Sequence, residues 1–290
     1  MGNENIDLPN GGGKTPLTYA CENGHLNIVK ELLSIHGIAY DQAANNGMTP
    51  LYYACLNYHS EIVKTLLLKS VSVTIFRKGG YTILHELCYN FKGVPVTEDD
   101  NKPFDIAVLL LNNLKSNVNE YVNEYVNEYA GDSIGNTPLN FACMANNTKM
   151  VDLLLKNGAD ATKKMKKDSL FPGISPLMTA CKHSSKEIVE LLLEKIDLNE
   201  INYKYYGEMS ALVVAKIFSS KEIVDMLINA GATGGSAQDK LIHVGQKKNR
   251  KLIGHNTTNR NNRNKMNQTN KRSNRNQKTF RKRHYHNKTR

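Results

Sequence analysis

One seven-residue phrase recurs six times along the chain, and all five cysteines stand at its last position. The phrase opens with Thr or Ser at positions 15, 49, 82, 137, 175 and 210, so successive copies are 34, 33, 55, 38 and 35 residues apart. Five copies end in Cys and the sixth ends in Lys216. A residue that keeps one place in a repeating unit fills the same position in each unit, and a period of about 33 residues predicts a stacked helical solenoid.

Each unit contains the signals of two helices. Thr or Ser followed by Pro, as in Thr15-Pro16, is a helix start, because the hydroxyl caps a free backbone N–H and Pro at the first helical position loses no bond. Thirteen residues after the opening residue a second apolar pattern begins, such as Ile28-Val29 with Leu32-Leu33. Apolar residues at this spacing form one stripe along a helix. Each unit is therefore predicted to be turn, helix, short loop and helix.

The phrase T-P-L-x-x-A, followed by G-H and by I-V-x-x-L-L, resembles the ankyrin repeat. Gly24-His25 match the family's loop between the helices, and Gly158-Ala159-Asp160 match its helix-ending turn. The match covers about residues 6–233, with departures at Ile83, where Pro is usual, and at Lys216. The resemblance implies an all-α ankyrin-repeat solenoid, in which helix-turn-helix repeats are joined by short hairpin loops.

The register of the repeats predicts the domain boundaries. We expect an N-terminal hairpin or cap remnant at 1–14, six ankyrin repeats at 15–233, and a disordered linker and polybasic tail at 234–290. Long insertions are expected at about 91–103 and at about 116–131. Lys216 has two interpretations: a polar outer face on a terminal repeat, or drift at a weakly constrained position.

Charge is segregated along the chain. Residues 247–290 contain 16 Lys or Arg, 11 Asn and no acidic residue, whereas residues 1–246 contain 22 basic and 27 acidic residues. The tail has too few large apolar groups to offset the entropy of ordering a chain, so it is expected to be disordered when alone.

The tail carries two basic clusters with three open interpretations. They are a nuclear import signal read by an import receptor, a nucleic-acid contact that neutralises phosphates, or a passive extension without a partner. The candidate residues are Lys247, Lys248, Arg250, Lys251, Arg281, Lys282 and Arg283.

The cysteine row and the apolar pattern bear on compartment. Neighbouring repeats lie about 8–10 Å apart, which is too far for a disulfide, so free thiols that pack as small apolar groups are expected. The chain shows no signal peptide pattern and no run of about 18 apolar residues. We expect an intracellular protein, cytoplasmic or nuclear, with no membrane partner and no cofactor.

No nucleophile, base and orienting group are assembled by the sequence, so an enzyme and a small-molecule substrate are not expected. A solenoid instead presents an extended concave surface. The resemblance places this surface just before the opening Thr and just after the Ala-Cys position. Large apolar groups there predict a protein-binding site, unless the insertions or the tail cover it. The candidate residues are Met48, Leu56, Tyr81, Tyr89, Ile134, Met144, Phe171 and Ile174.

The sequence thus predicts a non-enzymatic adaptor that binds a protein of unknown identity through the concave face of the array. The alternative is a nucleic-acid-associated or nuclear protein whose tail binds DNA or RNA while the repeats recruit a partner. Ankyrin arrays rich in Asn and Lys are frequent in intracellular bacteria, large DNA viruses and protists, which suggests a host-directed effector by analogy alone.

Overall fold

The computed structural model describes most of the first 234 residues of the chain. The described ranges are 6–69, 71–73, 81–89, 101–117, 135–166, 173–183, 185–205 and 209–234. The predicted tail, including both basic clusters, lies outside them.

Helices dominate the described residues. The helices are α1 Pro16–Glu22, α2 Leu26–Ser34, α3 Pro50–Leu56, α4 Ser60–Leu67, α5 Ile83–Cys88, α6 Asn101–Asn117, α7 Pro138–Met144, α8 Thr148–Lys156, α9 Pro176–His183, α10 Lys186–Leu193, α11 Leu198–Ile201, α12 Ala211–Phe218 and α13 Lys221–Asn229. Two short antiparallel strands, β1 Lys204–Tyr205 and β2 Met209–Ser210, precede α12. The predicted all-α fold is confirmed.

The first helix of each pair begins where the repeated phrase predicts. The Thr15 hydroxyl accepts a hydrogen bond from the backbone N–H of Thr18 at 3.2 Å, and the Ser210 hydroxyl accepts one from Val213 at 3.3 Å. Pro stands at the first turn of α1, α3 and α7. These bonds satisfy N–H groups that a helix start leaves without an intrahelical partner.

Tight turns before these helices need glycine. Gly135 has a φ of +58°, and a Cβ atom added to it would lie 2.5 Å from the Cβ atom of Lys166 in the next repeat. Any side chain at this position would therefore clash with the neighbouring repeat as well as strain the backbone. The glycine two residues before the opening Thr is thus a packing requirement.

The helices form two layers. The first helices α1, α3, α5, α7, α9 and α12 contact one another in succession, and the second helices α2, α4, α6, α8, α10 and α13 do the same. The apolar core lies between the layers. α6 runs from Asn101 to Asn117. It includes the end of the first predicted insertion (91–103) and the start of the second (116–131), so these parts of the insertions are helical. The division of 15–233 into six ankyrin repeats remains a prediction.

The cysteine row lies inside the first layer. Cys21, Cys55, Cys88, Cys143 and Cys181 are free thiols without measurable exposure. Burial raises the pKa of Cys21 and Cys181 to about 12 and raises the pKa values of the other three as well. The predicted packing role is confirmed, whereas Lys216 at the sixth position is exposed.

Candidate protein-binding surface

The sequence-predicted surface residues differ in exposure. Leu56, Tyr81, Tyr89, Met144 and Ile174 are half-buried, and each packs against the core while keeping part of its side chain in solvent. Such a position suits a contact residue, because the side chain is held in place and still accessible.

Met48 is an exception among the predicted residues. It is buried in the core cluster, so its side chain is unavailable to a partner in this structure. Ile134 and Phe171 lie outside the described residues.

Three aromatic rings form what we call the aromatic platform, namely Tyr81, Tyr89 and Phe141. The Tyr89 and Phe141 ring centroids are 5.4 Å apart with an interplanar angle of 24°, and those of Tyr81 and Phe141 are 6.2 Å apart at 25°. Phe141 is buried beneath the two half-buried tyrosines. Offset stacking of this kind stabilises aromatic pairs beyond their burial, so the two Tyr rings have a defined support.

A buried histidine holds the backbone next to the aromatic platform in place. The Nδ1 atom of His85 accepts a hydrogen bond from the backbone N–H of Thr82 at 3.1 Å, so the proton of the neutral ring is on Nε2. Nε2 then donates to the backbone oxygen of Asn136 at 3.2 Å, which joins the third helix pair to the fourth. The His85 ring also meets Phe141 edge to face, with centroids 5.9 Å apart.

Met144 lies beside the platform. Its sulfur atom is 3.6 Å from the Nδ2 atom of Asn136, whose side chain is buried. The structure therefore brings Tyr81 and Tyr89 together over Phe141 at the joint between the third and fourth helix pairs, and it places Met144 on the same helix as Phe141, three residues further on. Leu56 stands at the repeat position of Tyr89 and Met144 in the second pair, and Ile174 stands at that of Tyr81 in the fifth.

Phe141 is the member of the cluster that sequence reasoning missed. It stands four residues after the opening Thr, where Tyr19 and Tyr53 stand in the first two repeats. An aromatic residue in three of six copies was the available signal. Exposure at this position was not readable from the sequence, because it depends on what the preceding repeat places above the ring.

The joint between the first and second helix pairs fills the same space with charge. The Nζ atom of Lys14 lies 4.5 Å from the centroid of the Tyr53 ring and 2.6 Å from a carboxylate oxygen of Glu22. Burial opposes the charge on Lys14, but the bond to Glu22 and the nearby Tyr53 raise the pKa of Lys14 above its ordinary value. At this end of the surface, the charge of Lys14 is therefore neutralised by the charge of Glu22.

Positive charge follows the apolar stretch in the fifth helix pair. Lys182 and His183, at the end of α9, are both exposed. Partial desolvation of the ring by the neighbouring protein, and then the charge of Lys182, lower the pKa of His183 below its ordinary value. The neutral form of His183 is therefore favoured at neutral pH.

In the described part of the chain, no group of three or more His, Cys, Asp or Glu side chains is placed to hold a metal ion. No helix of that part is both long and apolar enough to cross a membrane.

Family models match the repeated region. The model for ankyrin repeats in three copies matches residues 2–77, 39–119 and 163–237, and the model for a single ankyrin repeat matches 134–166. The chain belongs to the ankyrin-repeat family. The matched segments contain the whole of the first predicted insertion and only the start of the second, since residues 120–133 fall between them. No curated protein sequence matches this ankyrin-repeat chain closely enough to count as a relative.

Ankyrin repeats are protein–protein interaction modules, and they are typically not enzymes. Family membership therefore supports an adaptor role with a protein partner.

Proposed function

We propose that the protein is a non-enzymatic adaptor that binds a partner protein through the first-helix side of its ankyrin array. The observation that carries this proposal is the aromatic platform with Met144 beside it. Two half-exposed tyrosines rest on a buried phenylalanine, at a joint that a histidine locks with two hydrogen bonds. Binding costs less when contact side chains are already ordered.

The composition of this surface favours a protein rather than a small molecule. Tyrosine and methionine are enriched in the central parts of protein interfaces, where a few residues supply most of the binding free energy. Leu56, Tyr89 and Met144 follow one another at the end of successive first helices. We expect an extended or helical segment of the partner to lie along this row, with its apolar residues on Tyr89 and Met144.

The test compares three forms of the full-length protein as bait. The surface variant combines Tyr89→Ala with Met144→Ala, and the control variant changes Glu190→Ala on the second-helix side, where the side chain is exposed. The best single contact should contribute about 1–3 kcal/mol to binding. A partner captured by the unchanged protein and the control but lost from the surface variant supports the proposal, provided that circular dichroism shows equal helix content. Equal capture by all three forms contradicts it.

The segregated charge favours a second candidate function, binding of nucleic acid by the tail. With 16 basic residues and no acid in residues 247–290, binding would proceed by counterion release. Affinity for generic DNA should then fall by about 10³–10⁵ between 50 and 200 mM salt if about 6–10 phosphates are engaged. Changing Arg281, Lys282 and Arg283 to Ala should reduce that salt slope. An unchanged slope would mean that these three residues do not bind the nucleic acid, and it would contradict this second candidate function at the basic cluster.

A further inference from the structure

The residues directly after the cysteine position form a row along the first-helix side of the array, which we call the contact row. Each member is exposed or half-buried, and the members are Glu22, Leu56, Tyr89, Met144, Lys182 and Ile217. The first helices contact one another in succession, so these side chains follow one another at the spacing of packed helices, about 8–10 Å. The contact row therefore presents side chains to a partner at a regular interval.

Charge is unevenly distributed along the contact row. Glu22 at its beginning is paired with Lys14 at 2.6 Å, so this carboxylate is already neutralised. The next three members are uncharged. Lys182 is exposed, and no carboxylate of the described residues forms an ion pair with it. Helices α7, α9 and α12 contain no acidic residue. A partner therefore meets three uncharged side chains and then a positive charge.

The interval of the contact row matches one backbone conformation of a partner segment. The polyproline II helix has three residues per turn and rises about 3.1 Å per residue, so every third side chain lies on one face at intervals of about 9 Å. Side chains on one face of a β-strand recur at about 6.6–6.8 Å, which is too short. In an α-helix, one face recurs after seven residues at about 10.5 Å, so four contacts require about 22 residues. Polyproline II makes four contacts within about 10 residues.

The aromatic platform favours the same conformation. Polyproline II segments bind in grooves lined by aromatic side chains, because they are already extended and lose little entropy on binding. Tyr81 and Tyr89 stack on Phe141 with interplanar angles of 25° and 24°, so the orientation of both half-buried rings is fixed. The two rings therefore offer ordered apolar surface to proline side chains.

We infer that the partner presents a proline-rich segment in the polyproline II conformation, with apolar residues at three successive turns and an acidic residue at the fourth. The apolar residues lie on Leu56, Tyr89 and Met144, and the acidic residue pairs with Lys182. The segment occupies the surface already proposed for partner binding, so the inference rests on that proposed function. Because the charge stands at one end of the three apolar contacts, it also fixes the orientation of the segment, with the acidic residue over the fifth helix pair.

Peptide display on the full chain tests this inference. A library of random peptides of about 12 residues, enough for four turns of polyproline II, is selected against the unchanged protein. We expect the enriched peptides to carry apolar residues at every third position, then an acidic residue at the next such position, with proline between them. Either chain direction satisfies this spacing. Enriched peptides without this spacing, or no enrichment, overturn the inference.

A charge exchange tests the contact with Lys182. Fluorescence anisotropy measures the affinity of one enriched peptide for the unchanged protein, for Lys182→Glu and for the control Lys195→Glu, which changes an exposed lysine just beyond α10. Lys182→Glu should weaken binding about tenfold or more, because like charges then face each other, and the control should not weaken it. Lysine in place of the acidic residue of the peptide should restore binding to Lys182→Glu alone. Equal affinities for Lys182→Glu and the control contradict the contact.

Two further comparisons separate failure of this inference from failure of the proposed function. Alanine in place of the prolines of the peptide should weaken binding, because the free peptide is then less preorganised. Tighter binding would indicate a helical segment and overturn the inference. The variant that combines Tyr89→Ala with Met144→Ala should lose the peptide, and circular dichroism confirms that each variant is folded. Unchanged binding to this variant contradicts the proposed function, whereas lost binding with an unaffected Lys182→Glu variant contradicts the inference alone.

Discussion

Two joints in this array fill the same space with opposite chemistry. Between the first and second repeats the Tyr53 ring lies under a lysine that is paired with Glu22. Between the third and fourth repeats the Phe141 ring lies under two tyrosines. The repeat geometry fixes the position of the ring and of the side chains that lie over it, but it does not fix the chemistry of those side chains. At the first joint the charges of Lys14 and Glu22 neutralise each other, whereas at the second joint the two tyrosines leave apolar surface for a partner.

The largest expected effect comes from removing the ring under the aromatic cover. Phe141→Ala should lower the free energy of unfolding by about 3–5 kcal/mol, because it empties a buried aromatic site. Thr179→Ala changes the same repeat position in the fifth repeat and removes one hydrogen bond to the Ser175 backbone oxygen. It should lower stability by about 0.5–1.5 kcal/mol. Urea unfolding followed by circular dichroism measures both, and equal losses would mean that the platform does not depend on Phe141.

The thiol row is common to the two joints, so it should respond alike in both. Cys55→Ser and Cys143→Ser each place a hydroxyl in a fully buried site and should each lower the free energy of unfolding by about 1–3 kcal/mol. The corresponding Ala variants should cost less, since they bury no polar group. Thermal or urea unfolding of the four variants tests this order. A Ser variant as stable as the Ala variant at the same position would indicate a hydrogen-bond acceptor beside the cysteine row.

Salt should affect the polar joint alone. Lys14→Met removes the ammonium group from the Tyr53 ring and from Glu22. The Lys14 and Glu22 side chains are partly exposed, so the loss should be at most about 1 kcal/mol. This loss should shrink at about 1 M salt, where the Debye length is near 3 Å. Tyr89→Phe, at the aromatic joint, should show no salt dependence. A salt-independent loss for Lys14→Met would assign the effect to packing of its methylene groups.

The smallest expected effect concerns the loops that link successive repeats. The Asp41 carboxylate accepts a hydrogen bond from the Ser72 N–H at 3.1 Å, yet burial raises the pKa of Asp41. The folded protein therefore holds the Asp41 proton to higher pH than the unfolded chain does, so this group favours folding at low pH and opposes it as pH rises through the raised pKa.

Asp41→Asn removes this pH dependence. Asn202, at the same repeat position, accepts from the Thr233 N–H at 2.7 Å and also donates to the Gly231 backbone oxygen. The variant should gain a few tenths of a kcal/mol at pH 7, because solvent screens the partly exposed carboxylate, and this gain should disappear near pH 4. Thermal unfolding of the variant and the unchanged protein at pH 7 and near pH 4 measures this gain. A variant less stable at pH 7 would show that the carboxylate charge is favourable.

Local signals in the sequence were sufficient to predict the helix starts and the buried cysteine row. Caps such as Thr15 and the glycine at Gly135 act within a few residues of the turn they form, so their consequences are readable in a single unit. The buried Cys row was predictable for the same reason, since one position repeated five times must serve one purpose.

Exposure on the binding side was not predictable in the same way. Lys14, Met48 and Tyr81 share one repeat position, yet Met48 is buried while the other two are half-buried. Exposure there depends on the size and shape of side chains in two adjoining repeats. The aromatic platform likewise needs Phe141 from one repeat and two tyrosines from another, a pairing that no single phrase of the sequence contains.

Site-specific photo-crosslinking tests the central claim, that the aromatic platform and Met144 are where a protein partner binds. A photoreactive residue is placed at Tyr89 or at Met144 of the full chain, and in a separate control at Glu190 on the second-helix side. We expect the same partner to be crosslinked from Tyr89 and from Met144 and not from Glu190. Crosslinks from Glu190 alone, or none from either platform position with a partner demonstrably bound, would contradict the account.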